Sequence, residues 1–132
     1  MTKVLIIGHG LPQPKSTGAG VYMVQLLELL RQFGCRLHFC SSAEEAESGV
    51  LKEMDIPYSQ IELNSDSFDS YIKELNPQIV VFDRFMTEEQ YSWRVREQCP
   101  DAIRVLDTED LHFLRAHRAA RGSFMPPLEL SD

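Results

Sequence analysis

Five short apolar runs alternate with amphipathic segments along this chain, and this alternation limits the fold more than any other feature. The predicted strands span residues 3–9, 35–41, 58–63, 78–83 and 102–107. The runs from Val4 to Ile7 and from Ile79 to Phe82 are apolar at consecutive positions, which is typical of parallel strands covered by helices on both faces. Right-handed crossovers then predict a Rossmann-like α/β three-layer sandwich, with a five-stranded parallel sheet in the order 3-2-1-4-5.

Helices are expected between these strands and after the last one. Polar and apolar periodicity predicts the first helix over residues 19–33, with Gly34 as its C-terminal stop. Capping-box patterns place the start of the second helix at Ser42 and that of the fourth at Thr87. A fifth helix is expected from about Glu109. The third helix is marked by apolar residues at helical spacing, namely Phe68, Ile72 and Leu75.

Composition is that of one folded domain. The 132 residues are 43% hydrophobic and 25% charged, which suffices for a real core. We assign residues 1–121 to a Rossmann-like domain and residues 122–132 to a tail or the truncated start of a further segment. The net charge of −7 argues against nucleic-acid binding through a basic surface.

Targeting and metal signals are also weak in this sequence. The first apolar run is too short for a signal peptide or a membrane span, so a cytoplasmic protein is expected, and peripheral association with the inner membrane is compatible with this. The three cysteines show no zinc-like spacing with each other or with histidine. No metal site is therefore predicted.

The predicted strand order directs attention to the carboxyl edge of the sheet, because ligands of doubly wound folds bind where the strand order reverses. The loop after the first strand leads into Gly18 and Gly20 at a helix N-terminus. Their backbone N–H groups can approach a phosphate or a sugar hydroxyl, although the glycines can equally serve only to shape a long turn. At the end of the fourth strand, Asp83 and Arg84 can bind hydroxyls and anions or form an ion pair that holds the loop.

The fifth predicted strand ends at Asp107, whose carboxylate should face the same crevice. His112 follows in the next helix and is a second candidate for proton transfer or hydroxyl binding, against the alternative of a structural histidine. His38, within the second strand, is the weakest histidine candidate. A dinucleotide fingerprint is absent, because Gln13 stands where the third glycine after Gly8-His9-Gly10 is needed.

Taken in order, these segments resemble the N-terminal domain of GT-B glycosyltransferases, in particular the bacterial retaining enzymes of the family-1 or group 1 type. The matching segments are residues 3–7, 16–20, 33–37, 76–85 and 105–115, and the resemblance extends to about residue 121. It implies transfer of a sugar from a nucleoside diphosphate sugar to a glycan or lipid-linked acceptor, as in polysaccharide biosynthesis. No bound cofactor is implied besides this donor substrate.

The resemblance also has departures. Many family members carry a histidine at the end of the fifth strand that contacts the donor sugar, whereas this chain has Asp107 there and His112 nearby. The family's C-terminal domain, which holds the sugar nucleotide and a paired-glutamate motif, is not among the 132 residues. The isolated domain is therefore expected to be inactive, and its exposed cleft face could pair with a second copy.

Two alternatives stay open on sequence grounds. One is a stand-alone binding or regulatory module with the same fold, since fold does not fix chemistry. The other is a nucleotide-dependent epimerase or oxidoreductase, which the failed glycine spacing disfavours.

Overall fold

A computed structural model describes residues 1–12, 18–108 and 128–130 of the chain. Six strands form one sheet in the order β3-β2-β1-β4-β5-β6. In chain order they are β1 (Lys3–Ile7), β2 (Arg36–Ser41), β3 (Tyr58–Gln60), β4 (Ile79–Asp83), β5 (Ile103–Asp107) and β6 (Leu128–Leu130). The pairings among the first five strands are all parallel, which confirms the predicted order 3-2-1-4-5.

The sixth strand is a feature that the sequence pattern did not indicate. Residues 122–132 showed no regular period, yet β6 pairs antiparallel with β5, with Leu130 opposite Val105 and Leu128 opposite Asp107. A three-residue strand is too short to show a period of its own, and its partner lies more than twenty residues earlier. The predicted fifth helix and His112 lie outside the described residues.

The described ranges contain four α-helices, α1 (Gly18–Gln32), α2 (Gly49–Glu53), α3 (Asp66–Leu75) and α4 (Phe85–Gln98). The first ends as predicted, because Gly34 adopts a φ of 84° and its N–H donates to the Arg31 carbonyl at 2.9 Å, while the Cys35 N–H donates to the Leu30 carbonyl at 3.2 Å. These two hydrogen bonds form a Schellman turn.

Both predicted capping boxes are wrong. The second helix is interrupted: a 3₁₀ turn over Glu45–Glu47 precedes α2, and the Ser48 hydroxyl closes that turn by donating to the Glu45 carbonyl at 2.6 Å. The fourth helix begins before Thr87, since the Arg84 carbonyl already accepts from the Glu88 N–H at 3.3 Å. Thr87 is buried inside α4.

Two apolar layers cover the two faces of the sheet. Alternate residues of β1 point to opposite sides, so Val4 and Ile6 join one core cluster and Leu5 and Ile7 join the other. The first cluster includes side chains of α1 and α2, and the second includes side chains of α3 and α4. The central strands β1 and β4 are therefore covered on both faces, as their continuous apolar sequence predicts. Within the described residues, no helix is both long enough and apolar enough to cross a membrane.

Candidate functional site at the carboxyl edge

Strands β1, β4 and β5 lie side by side and end at the same edge of the sheet. Ile7 is in register with Phe82, and Asp83 is in register with Asp107. Neighbouring strands are about 4.8 Å apart, so the two aspartates stand next to each other beside the loop that leaves β1. Asp83 is 5% exposed and Asp107 is fully buried. The structure thus brings together two carboxylates that the sequence placed 24 positions apart.

Asp83 connects the strand ends to the loop after β1. Its Oδ2 accepts a hydrogen bond from the His9 N–H at 3.2 Å. Its buried Oδ1 accepts no hydrogen bond from the described part of the chain and lies 3.8 Å from the Arg84 Nε. The Oδ2 atom therefore holds the loop, while the Oδ1 atom can still accept a hydrogen bond from a ligand hydroxyl.

Arg84 joins β4 to α4 in an unusual backbone conformation. Its φ of 77° and ψ of 155° lie near a region that only glycine normally occupies. The Arg84 N–H donates to the Asp107 carbonyl oxygen at 2.7 Å, which ties the ends of the two strands together. Strain of this kind costs about 1–3 kcal/mol and is concentrated at functional sites. The sequence identified Arg84 as a candidate by its charge, but only the backbone reveals the strain.

Gly18 and Gly20 are the first and third residues of α1. Because α1 returns from the carboxyl edge of β1 to the opposite edge where β2 begins, its N-terminus lies on the same side of the sheet as Asp83 and Asp107. N–H groups in the first turn of a helix have no partner within the helix. The placement agrees with the predicted crevice, while the ligand contacts of the two glycines stay a prediction.

Gly8 has a role that the sequence interpretation missed. A Cβ at this position would lie 2.6 Å from both the Gly10 carbonyl oxygen and the ring of Phe39. The Gly8 N–H donates to the Cys40 carbonyl at 2.8 Å, so the backbone cannot easily move away. Glycine is required at position 8 because the Gly10 carbonyl and Phe39 leave no room for a side chain. In the sequence, the only indication of this was that Gly8 lies at the start of a long loop.

Two exposed apolar side chains border the carboxylates. Phe85 and Met86 begin α4 and are 60% and 55% exposed. Sequence reasoning did not select them, although two apolar residues directly after a charged pair at a strand end were a usable signal. The edge therefore combines buried carboxylates with an apolar rim, which suits a ligand with both hydroxyl and hydrocarbon parts.

Comparison with known proteins bears on the fold. No family model matches the chain, and no curated protein sequence matches it. Among solved structures, the chain is similar to MurG from Acinetobacter baumannii, with 17% identity and a TM-score of 0.54 over 74% of this chain and 32% of MurG. MurG is a GT-B glycosyltransferase. The chain shares the Rossmann-like α/β fold of the matched part of MurG.

The similarity is limited in extent. The chain spans about a third of the length of MurG, and at this identity the likeness speaks only for the fold. The chain also matches a sugar N-formyltransferase from Shewanella sp. FDAARGOS_354, with 14% identity and a TM-score of 0.39 over 80% of this chain and 38% of that one. That second likeness is too weak to support an inference.

Proposed function

We propose that this chain is the acceptor-side domain of a GT-B glycosyltransferase of the retaining, family-1 type. It would act in the transfer of a sugar from a nucleoside diphosphate sugar to a glycan or lipid-linked acceptor. The observation that carries the proposal is the in-register pair of buried carboxylates at the carboxyl edge, with Asp83 on β4 beside the point where the strand order reverses and Asp107 on the neighbouring β5. The Rossmann-like fold that the chain shares with part of MurG supports it.

In this proposal the two aspartates have different partners. The Oδ1 of Asp83 accepts a hydrogen bond from the hydroxyl group of the acceptor molecule. The exposed side chains of Phe85 and Met86 contact the apolar part of that molecule. Asp107 faces the reacting sugar, where its carboxylate stabilises developing positive charge or orients the hydroxyl that replaces the diphosphate. The N–H groups of Gly18 and Gly20 face the anionic leaving group.

Acceptor binding can be tested on the chain itself by NMR. Octyl glucoside serves as a probe with a sugar and a hydrocarbon tail, and UDP-glucose serves as the donor probe. We expect octyl glucoside to shift the amide signals of residues 8–10 and 83–86, and Asp83→Asn to weaken this binding by about tenfold. Glu89→Gln, which removes an exposed carboxylate from α4, is the matched control. Shifts confined to the opposite edge of the sheet would contradict the assignment.

Catalysis needs the donor-binding domain that the resemblance implies, so it is measured in the full-length gene product. We expect no sugar transfer from the 132-residue chain alone. In the full-length protein, Asp107→Asn should lower turnover by about a hundredfold or more, far beyond His112→Gln. Thermal melts must accompany both variants because Asp107 is fully buried. Normal turnover of a well-folded Asp107→Asn protein, with loss of activity in His112→Gln, would reverse the roles.

A further inference from the structure

A cavity opens at the amino edge of the sheet, where β4 and β5 begin, on the side opposite the carboxylates. Its volume is about 490 Å³, and small-molecule sites typically measure about 300–1,000 Å³. Its lining comes from residues 76–78, between α3 and β4, and from residues 98–103, between the last residue of α4 and the start of β5. The cavity therefore lies where two helices end and two neighbouring strands begin.

The ends of α3 and α4 meet at a single carbonyl oxygen. The Ile72 carbonyl of α3 accepts a hydrogen bond from the Asn76 N–H at 2.8 Å and another from the Cys99 thiol at 3.4 Å. Asn76 is the C-cap of α3, and Cys99 is the C-cap of α4. The two caps thus lie beside the same oxygen, and the lining residues next to them in the sequence are brought together.

Backbone hydrogen bonds fix both turns of the lining. The Gln78 N–H donates to the Lys3 carbonyl at 2.9 Å, and the Gln78 carbonyl accepts from the Ile103 N–H at 2.9 Å. In the other turn the Ala102 N–H donates to the Cys99 carbonyl at 3.0 Å. A ligand therefore meets a backbone that is already ordered, which lowers the entropy lost on binding.

The charges around this cavity favour a cation. Carbonyl groups in the last turn of a helix carry partial negative charge. A proline stands four residues after Lys73 and four residues after Arg96, and it has no N–H to donate to their carbonyl groups. Asp101 adds a full negative charge, and among the described residues no lysine, arginine or histidine lines the cavity.

Three lining side chains are available as hydrogen-bond acceptors. The carboxamides of Asn76 and Gln98 and the carboxylate of Asp101 line the cavity. Within the part of the chain that the structure describes, these side chains make neither a hydrogen bond nor an ion pair. Gln78 differs, because its Oε1 accepts from the Lys3 N–H at 2.9 Å. A ligand can thus reach one carboxylate and two carboxamide oxygens without breaking a contact of the protein.

The end of α3 already binds one ammonium group, which belongs to the chain itself. The Lys3 Nζ donates to the Leu75 carbonyl at 2.8 Å, as expected for a cation at a helix C-terminus. Lys3 does not line the cavity, so Asp101 still faces a space with no cation in its described lining.

We propose that this cavity binds a small organic cation through a primary ammonium group. Asp101 is the charged partner, and the carboxamide oxygens of Asn76 and Gln98 accept the remaining N–H groups. A bare calcium ion fits less well, because it takes about 6–8 oxygen ligands, several of them usually carboxylates, whereas the lining has one carboxylate. The site is separate from the carboxyl edge and does not depend on the proposed glycosyltransferase function.

The test is a titration of the full chain with putrescine, an aliphatic diamine, at constant ionic strength, followed by amide NMR. We expect saturable shifts at residues 76, 78, 98, 99 and 101–103. The diol with the same carbon chain has no charge and should cause no saturable shifts. Tetramethylammonium has the charge but no N–H group, and it should bind more weakly than putrescine.

Two lining variants and one control locate the binding. Asp101→Asn should lower the affinity for putrescine by about tenfold, and Gln98→Ala by about threefold. Glu53→Gln removes the same charge from an exposed position on α2, outside the cavity, and should change the affinity by less than about twofold.

Several results would overturn the proposal. Absence of saturable shifts with putrescine would show that the cavity does not bind the ammonium group. Equal binding of the diol or of tetramethylammonium would show that the ammonium N–H groups are not recognised. Equal losses of affinity in Asp101→Asn and Glu53→Gln would show attraction to the net charge of the chain and no site at the cavity.

Discussion

At the scale of single residues, the carboxyl edge is held by contacts that also leave it able to bind a ligand. Asp83 fixes the loop through the His9 amide with one oxygen, and its other oxygen accepts no hydrogen bond from the described residues. Arg84 holds β5 through its backbone at a strained φ. Most buried polar atoms are hydrogen-bonded, whereas this oxygen has the Arg84 Nε at 3.8 Å as its ion-pair partner and still has the capacity to accept a hydrogen bond from a ligand.

The two glycines that begin the first loop should respond very differently to substitution. We expect Gly8→Ala to lower the free energy of unfolding by about 1–3 kcal/mol or more, since overpacking forces neighbours to move and the new Cβ would meet a backbone oxygen and Phe39 at 2.6 Å. Gly10→Ala is the control, because among the described residues no atom beyond its two chain neighbours lies within 4 Å of the added Cβ. Urea unfolding measures both variants, and equal losses would show that the loop rearranges freely.

At the scale of elements, α3 and α4 are joined by one buried arginine. Arg94 of α4 is 7% exposed and donates through Nη1 to the Asp69 Oδ2 at 2.8 Å and to the Ser65 carbonyl at 3.2 Å. Asp66 is more distant, with its Oδ1 3.8 Å from the same nitrogen. A buried cation needs such partners, because the loss of one leaves charge without compensation.

This contact predicts unequal effects for two neighbouring carboxylates. Asp69→Asn should lower the free energy of unfolding by about 1–3 kcal/mol, because it removes a charged acceptor from a buried guanidinium. Asp66→Asn should lower it much less than Asp69→Asn does, because exposed ion pairs contribute little and that side chain is fully exposed. Thermal or urea unfolding measures the difference. A larger loss of stability in Asp66→Asn than in Asp69→Asn would show that the contact between α3 and α4 depends on the exposed Arg94–Asp66 pair instead.

At the scale of the whole molecule, stability should depend on pH through His38. Its pKa is lowered in the folded chain, first by burial and then by Lys3 and Arg36. The unfolded chain therefore binds more protons as the pH falls through the ordinary histidine value of about 6.5, and stability decreases with acidification until the folded pKa is passed.

The change that tests this is His38→Gln, which cannot titrate. Between about pH 7 and pH 5, wild-type protein should lose more stability than the variant, as measured by urea midpoints at several pH values. Identical pH profiles would show that His38 contributes nothing to the dependence. A profile in which acid stabilises the wild type relative to the variant would mean that the histidine gains a negative partner on folding.

Local pattern and chain geometry were enough to predict the sheet. Consecutive apolar residues in β1 and β4 indicated central parallel strands, and the handedness of crossovers then gave the order and the edge at which Asp83 and Asp107 meet. The same reasoning placed the stop of α1 at Gly34, because a positive φ is inexpensive only for glycine. The apolar runs and the helix stop each depend on a few residues that are neighbours in the sequence, so they could be predicted without knowledge of the tertiary structure.

Other features were decided by contacts between distant segments. Ser42 and Thr87 fit the capping-box pattern, but neither begins a helix. Instead the Ser48 hydroxyl closes a 3₁₀ turn by donating to the Glu45 carbonyl, and α4 begins at Phe85. Strand β6 exists through its pairing with β5. The sequence by itself determined the five parallel strands and their order, whereas tertiary packing decided the sixth strand and which polar groups face one another, because those energies arise only after distant segments come into contact.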